Sequence, residues 1–463
     1  MNFFERFTLG VRRLFFQSSA PKQDFGVETA VTRTMENNIN LWYLMYINQP
    51  PWSKDGVTST GLPAAIVREL ARYALVEFEG TVSGSVRGDF LNECLQDMIP
   101  DFDSWMEQGL AYGSVALQPF VYNDSIRVAV SGPNAFQPTK FDVAGKCIAG
   151  TFRQLLKSAG KWYIRLEHHE YTPETGHYVI ENKAHESNEN GTIGRAIDLT
   201  EIPEWANIEP ILETDGMEGT MFAYFQNPKS NTVEPGSHSG MSVYGGEVVD
   251  LIKQADEQWE AIWWEYKSGE RKILVEDSAN ARKAIHNRLF STVPLFSKDS
   301  DFFHEFSPAF RNDALYQGFQ YILKQIEYRT GLARGAISDP DSVERTATDV
   351  LRSKYNQFVT EKSIQRAWGR TLNDILYAMD VLASHNGLAP EGAYKLDLNF
   401  GDGVLEDPDG TRADKAQALS EVAAGIRNPW EYRRDFYGET EEEAKANLPG
   451  LDVLVDEPPA TVE

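Results

Sequence analysis

The sequence predicts an α+β fold, and three observations carry that expectation. Apolar residues recur every three or four positions over long stretches in both halves of the chain. Residues 115–185 instead alternate apolar and polar side chains between turn signals, the pattern of a strand meander. Two amphipathic stretches of similar length, 247–267 and 313–330, leave and return around an excursion of 45 residues with mixed character. The expected architecture is an α/β body carrying a two-helix stalk with a small α/β tip, then a long helix and a helical C-terminal part.

Near the start, Phe3, Phe7, Leu14 and Phe15 lie at helical spacing, but Glu5, Arg6, Arg12 and Arg13 interrupt any secretion-signal core. That stretch reads as a helix docked on the protein itself rather than on a membrane surface. Residues 36–75 read as helical with a break at Pro50-Pro51. Residues 89–113 read as one further helix built on Phe90, Leu91, Leu95, Ile99, Phe102, Trp105 and Leu110. After Gly113 a hairpin turns at Asn123-Asp124, and strands follow at 148–156, 161–171 and 177–185. Pro, Gly and Asn make 186–243 loop-rich.

In 247–267, Val248, Ile252, Ala255, Trp259, Ile262 and Tyr266 form a heptad-type seam. Asp250, Gln254, Glu257 and Glu260 occupy another face. Leu315, Phe319, Ile322 and Ile326 repeat the seam in 313–330; the two helices would be about 30 Å and about 27 Å long. A longer helix runs from Ala347 to about Leu382, with Leu351, Tyr355, Phe358, Trp368, Leu372, Ile375, Met379 and Leu382 on one side. Thr346 and Asp349 form its N-cap pair, and Asn386-Gly387 ends it. A strand at 394–400 follows. Residues 401–463 hold 16 acidic and 6 basic residues and predict helices near 410–424 and 429–446 before a frayed tail.

Composition narrows the function. A length of 463 residues allows two or more domains, or one elongated subunit of an assembly. Ten Trp, nineteen Tyr and twenty-five Phe supply a real core and exclude global disorder. Cys94 and Cys147 give neither a metal spacing nor a disulfide framework, which fits a reducing compartment. A net charge of -25 argues against tight capture of nucleic acid, because such proteins neutralise phosphates with Lys and Arg. It fits an acidic soluble protein, or a surface past which a polyanion slides without sticking. No apolar run reaches the length of a membrane span.

The search for chemistry returns no catalytic constellation, no metal site and no cofactor. There is no phosphate loop of the G-x-x-x-x-G-K-[ST] type. Gly236-Ser237-His238-Ser239-Gly240 has the wrong spacing for a nucleophile elbow and reads as a turn with hydroxyl caps. His168 and His169 lie between Glu167 and Glu170, but adjacent strand residues face opposite ways, so they read as surface histidines on a hairpin. In a calcium-loop alignment around Asp407-Pro408-Asp409-Gly410, Leu405 and Ala416 fall on ligand positions, so the match fails. Glu257 and Glu260 read as solvated charges, and Trp259, Trp263 and Trp264 as core or subunit packing.

What stands out is the break between the second seam helix and the long helix. Residues 331–346 are long for a helix–helix connection, which in compact domains takes about 2–8 residues. With only two glycines and one proline, the break is poor material for a disordered linker. It reads as a loop that is held in place.

Seven segments in order now carry a resemblance. They are Leu110-AYGSVALQPFVY, Trp162-YIRLEHHEY, Tyr224-FQNPKSN, Gly240-MSVYGGEVVDLIKQADEQWEAIWWEYKSGERKILV, Gly331-LARGAIS, Thr346-ATDVLRSKYN and Asn399-FGDGVLEDPDG. Over residues 40–448 the chain resembles the portal proteins of tailed bacteriophages, in particular those of long-tailed phages of Gram-positive hosts. The resemblance implies a ring of about twelve subunits at one capsid vertex, through which double-stranded DNA enters and leaves. It implies contacts with the terminase large subunit, head-completion adaptors, and the major capsid and scaffolding proteins, with assembly in the host cytoplasm.

Carried over, residues 1–244 with 347–400 resemble the wing, 245–270 and 312–330 the stem helices, and 271–311 the clip. The break 331–346 resembles the tunnel loop and 401–463 the crown with its tail. The implied DNA-facing residues are Gly331, Leu332, Arg334, Gly335, Ser338, Asp339 and Arg345. The stem channel face would be Asp250, Gln254, Glu257 and Glu260. Lys272, Arg282, Lys283, Arg288 and Lys298 would dock the motor or adaptor. The competing readings are a carbohydrate-active hydrolase using paired carboxylates, which needs two facing carboxyl groups in a pocket, and another phage head protein.

Overall fold

Prolines and capping side chains set the helix ends in the N-terminal part. In the computed structural model, the described residues are 20–158, 160–268, 272–276, 290–293, 303–306, 311–340, 347–401, 408–437 and 440–448. Helices α1 (Ala20–Phe25), α2 (Arg33–Tyr46), α3 (Leu62–Leu75), α4 (Val86–Met98) and α5 (Phe102–Tyr112) come first. The Thr32 hydroxyl caps α2 by accepting the Met35 N–H, and Ser85 does the same for α4 at Gly88. Pro50-Pro51 breaks the first helical run as the sequence predicts. Pro100 also breaks the second run, which is two helices joined by a 3-10 turn at Ile99–Asp101.

The strands are β1 (Glu79–Ser83), β2 (Ser114–Tyr122), β3 (Ser125–Ser131), β4 (Phe136–Phe141), β5 (Cys147–Ser158), β6 (Lys161–Thr172) and β7 (His177–Ser187). Short strands β8 (Arg195–Ile197), β9 (Ile211–Thr214) and β10 (Ala223–Gln226) follow within the stretch read as loops. Helix α6 (Glu247–Ser268), strands β11 (Lys272–Glu276), β12 (Phe290–Val293) and β13 (Phe303–Phe306), and helix α7 (Asn312–Thr330) come next. Helix α8 (Ala347–His385) and strand β14 (Lys395–Asn399) lead to α9 (Pro408–Ala423), α10 (Pro429–Tyr437) and α11 (Glu441–Ala446). With 46% helix and 22% strand, the class is mixed α and β.

Asn123 and Asp124, at φ 50° and 59°, make the two-residue turn of the β2–β3 hairpin. Strand β10 pairs on the other edge of β2. Strands β4 to β8 form an antiparallel meander, with β9 also on β7. One of its faces buries Ile164 and Leu166 against Ala20 of α1, and the other packs Phe152 and Phe136 on Phe222. The segment between α6 and α7 contains a three-stranded sheet in the order β12-β11-β13.

One core joins α2–α5, the β2 sheet and helices α6–α8, with Trp42, Leu70, Leu110, Phe225, Tyr244, Val248, Ile326, Trp368 and Leu372 inside it. Two backbones cross where α5 ends, since a Cβ on Gly113 would meet Gly240 O at 2.4 Å. The buried face of α8 is Ile364, Ala367, Trp368, Leu372, Ile375, Leu376 and Met379, while Tyr355, read as part of that side, is exposed. Its expected cap Thr346 and the docked helix expected around Phe3–Phe15 lie outside the described residues.

The last strand of the larger unit closes onto the first. Strand β14 pairs antiparallel with β1, which the sequence pattern did not mark. Beside that pair, Arg87 is 1% exposed. Its guanidinium donates to Asp380 O and Oδ1, Ala389 O and Pro390 O at 2.7–3.1 Å.

The described residues after Gly401 form a second unit. There the helix expected at 429–446 is two, because Thr440 caps α11 in a reciprocal box with Glu443. Trp430 lies under Arg434 and Lys445 in that unit.

Replacing Arg87 by Met leaves buried carbonyls without donors. Urea unfolding should then show a stability loss of about 3 kcal/mol or more, and a loss below about 1 kcal/mol would remove Arg87 as the tie between α4 and the turn after α8.

Candidate functional site

Helices α6 and α7 form an antiparallel hairpin fastened along its length. Glu247 and Asp250 in the first turn of α6 and Lys267 in its last suit the helix dipole, as do Asp313 and Arg329 in α7. At one end Arg329 lies 3.7 Å from Glu247. Midway, Gln258 donates to Leu315 O at 2.8 Å and Trp259 packs on Phe319 with ring centroids 5.6 Å apart. At the other end Arg311 grips Glu265 through Nε, Nη2 and its backbone N–H at 2.8–3.2 Å, which holds the Glu265 carboxyl below its ordinary range.

The seam predicted from apolar spacing is corrected in two places. Tyr266 and Trp259 are 48% and 42% exposed, whereas Asp256 and Glu265 are buried. Asp256 is fully covered by the loop before α3: its Oδ2 accepts the Trp52 indole N–H at 2.8 Å. Its Oδ1 accepts the Thr60 N–H and hydroxyl at 2.8 and 2.6 Å. On the opposite face Asp250, Gln254 and Glu257 are exposed, with Glu257 near Lys253. Glu260 is half-buried and bonded to Thr58, so it belongs to the edge of that face. Trp263 and Trp264 are 50% and 65% exposed, and not part of a core in this chain.

The segment after α7 lies back along that helix. Gly331 ends α7 in the left-handed conformation, and a Cβ there would sit 2.2 Å from Thr360 Oγ1. The Glu327 carboxylate, 1% exposed, accepts N–H bonds from Gly335, Ile337 and Ser338 and the Ser338 hydroxyl. Further along, Gln320 accepts the Asp339 N–H at 2.8 Å, and the Tyr316 hydroxyl donates to the Asp339 carboxylate. These contacts cover about 16 Å of α7. From α8, Gln357 accepts the Ala333 N–H and donates to Glu361, whose carboxyl is raised by burial.

Leu332 and Ser338 are buried and Arg334 and Asp339 exposed, so the predicted loop residues do not share one outward face. Gly331, Gly335 and Ser338 serve the fold of the segment. Arg345 lies outside the described residues, as do Arg282, Lys283, Arg288 and Lys298. Lys272 is in β11.

The histidine pair is not a surface feature, which corrects the sequence reading. His168 and His169 are 5% and 2% exposed. They do point to opposite faces: His168 stacks on Phe25 and contacts Thr151, while His169 bridges Glu167 and Tyr178 at 3.0 and 2.8 Å. Both faces are covered because α1 lies on one and Phe222 on the other, information that alternation alone does not hold. Among the described residues, no three His, Cys, Asp or Glu side chains are placed to hold a metal ion.

Glu167 also borders a cleft of about 680 Å³ between the β2–β3 hairpin, β5, β6 and the end of α8. Burial pushes its carboxyl up, but bonds from His169 and Gln118 and the charge of Arg165 outweigh that and hold it low. Arg165 in turn bonds Gln154 and Asn182. This carboxylate is therefore committed to neighbouring side chains.

No protein-family model and no curated protein matches the chain. Among the described residues no helix is long and apolar enough to cross a membrane.

Burial, followed by the charge of His169, lowers His168 to about 4 against the opposing pull of Glu170 and Glu181. The unfolded chain therefore binds that proton first as the pH falls from 6.5. Stability is complete above pH 6.5 and lost progressively towards pH 4, by roughly 3 kcal/mol. Thermal unfolding of the wild type and His168→Gln should diverge across this window; identical pH profiles would contradict the assignment.

Proposed function

We propose that the chain is a portal subunit of a tailed bacteriophage. It would form a ring of about twelve copies at one capsid vertex. That ring would pass double-stranded DNA and dock the terminase and then the head-completion adaptor, with no reaction of its own. The observation that carries this reading is the α6–α7 hairpin. It roots in the main core, spaces a three-stranded sheet between its helices, and exposes Asp250, Gln254 and Glu257 along one face.

In the proposed ring that face lines the channel, the hairpin is the stem, the 272–306 sheet is the clip, and 331–346 is the tunnel loop. The physics suits a passive conduit. Twelve chains of this composition carry a formal charge of roughly -300. Salt screens it beyond about 10 Å, so phosphates meet repulsion at the wall rather than capture. The seven ordered segments of portal-like sequence support the same reading, and so do the exposed aromatic side chains of the hairpin, Trp263, Trp264, Tyr321 and Tyr328, as material for subunit contacts.

Negative-stain images of the purified chain, or of the chain with its capsid protein, should show rings of about twelve subunits. A folded monomer under every one of those conditions would overturn the reading. If Asp250 and Glu257 face DNA, replacing both by Lys should leave rings intact but make them retain DNA. The salt slope of binding should steepen by about 0.9 for each phosphate neutralised. An unchanged slope in intact rings would place this face elsewhere than the channel.

A further inference from the structure

The ten residues 331–340 contain neither helix nor strand, yet much of their polar backbone converges on one side chain. We infer that the Glu327 carboxylate is the positioning group that fixes this segment on α7, so that helix and segment move as one body. Its Oε1 accepts the N–H groups of Gly335, Ile337 and Ser338 at 3.0, 2.9 and 2.8 Å. Its Oε2 accepts the Ser338 hydroxyl at 2.9 Å.

A carboxylate offers about four acceptor sites, and here four donors from a single loop reach it, three of them sharing Oε1. Three successive bends of the chain must present N–H groups inward for this, and Gly335 at φ +91° supplies the one conformation that other residues avoid. Among the described residues Glu327 has no ion-pair partner. The loop's own dipoles therefore replace the water that the charge has lost.

Other contacts are secondary by number and by chemistry. Among the described residues of the segment, Gln320 and Tyr316 hold only Asp339, and Gln357 holds only Ala333. Leu332 is the one apolar side chain of the segment that is fully buried; Ala336 and Ile337 are partly exposed. Packing alone would leave residues 335–338 free to lift away. Gln at position 327 keeps one oxygen for the three N–H groups but loses the charge that strengthens those bonds, and its amide nitrogen replaces the oxygen that accepts the Ser338 hydroxyl.

The positional role stands on this chain's geometry, and only its consequence for DNA rests on the portal reading. Hydrogen exchange on the full chain tests it. In Glu327→Gln the amides of Gly335, Ile337 and Ser338 should exchange on the order of 100-fold faster, while amides of residues 364–383 in α8 keep their rates. Ser338→Ala removes the hydroxyl bond alone and should accelerate the Gly335 and Ile337 amides by less than about tenfold.

Three results would overturn the inference. They are unchanged amides in Glu327→Gln, a Ser338→Ala effect as large as the Gln effect, or equal acceleration of α8, which would make Glu327 a general core determinant. If the segment is released in Glu327→Gln yet its rings package DNA as the wild type does, the positional role stands and the assignment of this segment to DNA fails.

Discussion

A carboxylate removed from water costs several kcal/mol unless donors replace its hydration, and two of them dictate how the α6–α7 hairpin is built. Asp256 on α6 draws in Trp52 and Thr60, and Glu327 on α7 draws in Gly335, Ile337 and Ser338. Neither has an ion-pair partner among the described residues. Asp256 is satisfied by the connection between α2 and α3, whose Trp52 lies in a 3-10 turn at Pro51–Asp55, and Glu327 by a segment with neither helix nor strand; each takes its path from the need to deliver donors. Two connections that composition would leave undefined are thus specified by charge. The ion pairs at the hairpin's ends, Glu247 with Arg329 and Glu265 with Arg311, then fix the register of the two helices.

The same economy appears in the body. Arg87 binds carbonyls that arrive from the end of α8 and the turn after it, and β1 and β14 pair beside it. At the root of the hairpin, Gly113 and Gly240 let two backbones touch, while Tyr244 donates to Trp42 O at 2.9 Å. Helix α6 therefore leaves a site built from α2, α5 and the β10 sheet. A few polar ties orient the apolar core, which by itself has no preferred direction.

Much of this was legible in residue order. Helices α6, α7 and α8, the Asn123-Asp124 hairpin and the strands from 147 to 187 follow from periodicity and turn chemistry, because those signals are local. The buried acids escaped because an Asp or Glu beside a seam looks like a solvated charge. Asp256 follows Ala255 and Glu327 follows Ile326, one step from the apolar stripe, and that adjacency was the available hint. Strand β1 escaped because Glu79-Gly80-Thr81-Val82-Ser83 has little strand character alone and owes its conformation to β14. Of the candidate site, the position and held character of 331–340 could be read from length and composition. The identity of the holder could not, since it depends on which way the chain turns after Gly331.

The pairing of β1 with β14 has a temporal consequence. A ribosome adding about 5–20 residues per second needs roughly 15–60 s to travel from one strand to the other. During that interval the Val82 side of β1 and the groove for Trp368 must wait without their native covers. High sequence separation of this kind slows closure and lengthens exposure of apolar surface. The nascent chain is consequently unable to complete its main core until the last strand of the larger unit has been made, so a truncated product ending before Lys395 would be left open along that edge. Quality control is thereby written into connectivity: only a chain translated past Asn399 can present a finished larger unit.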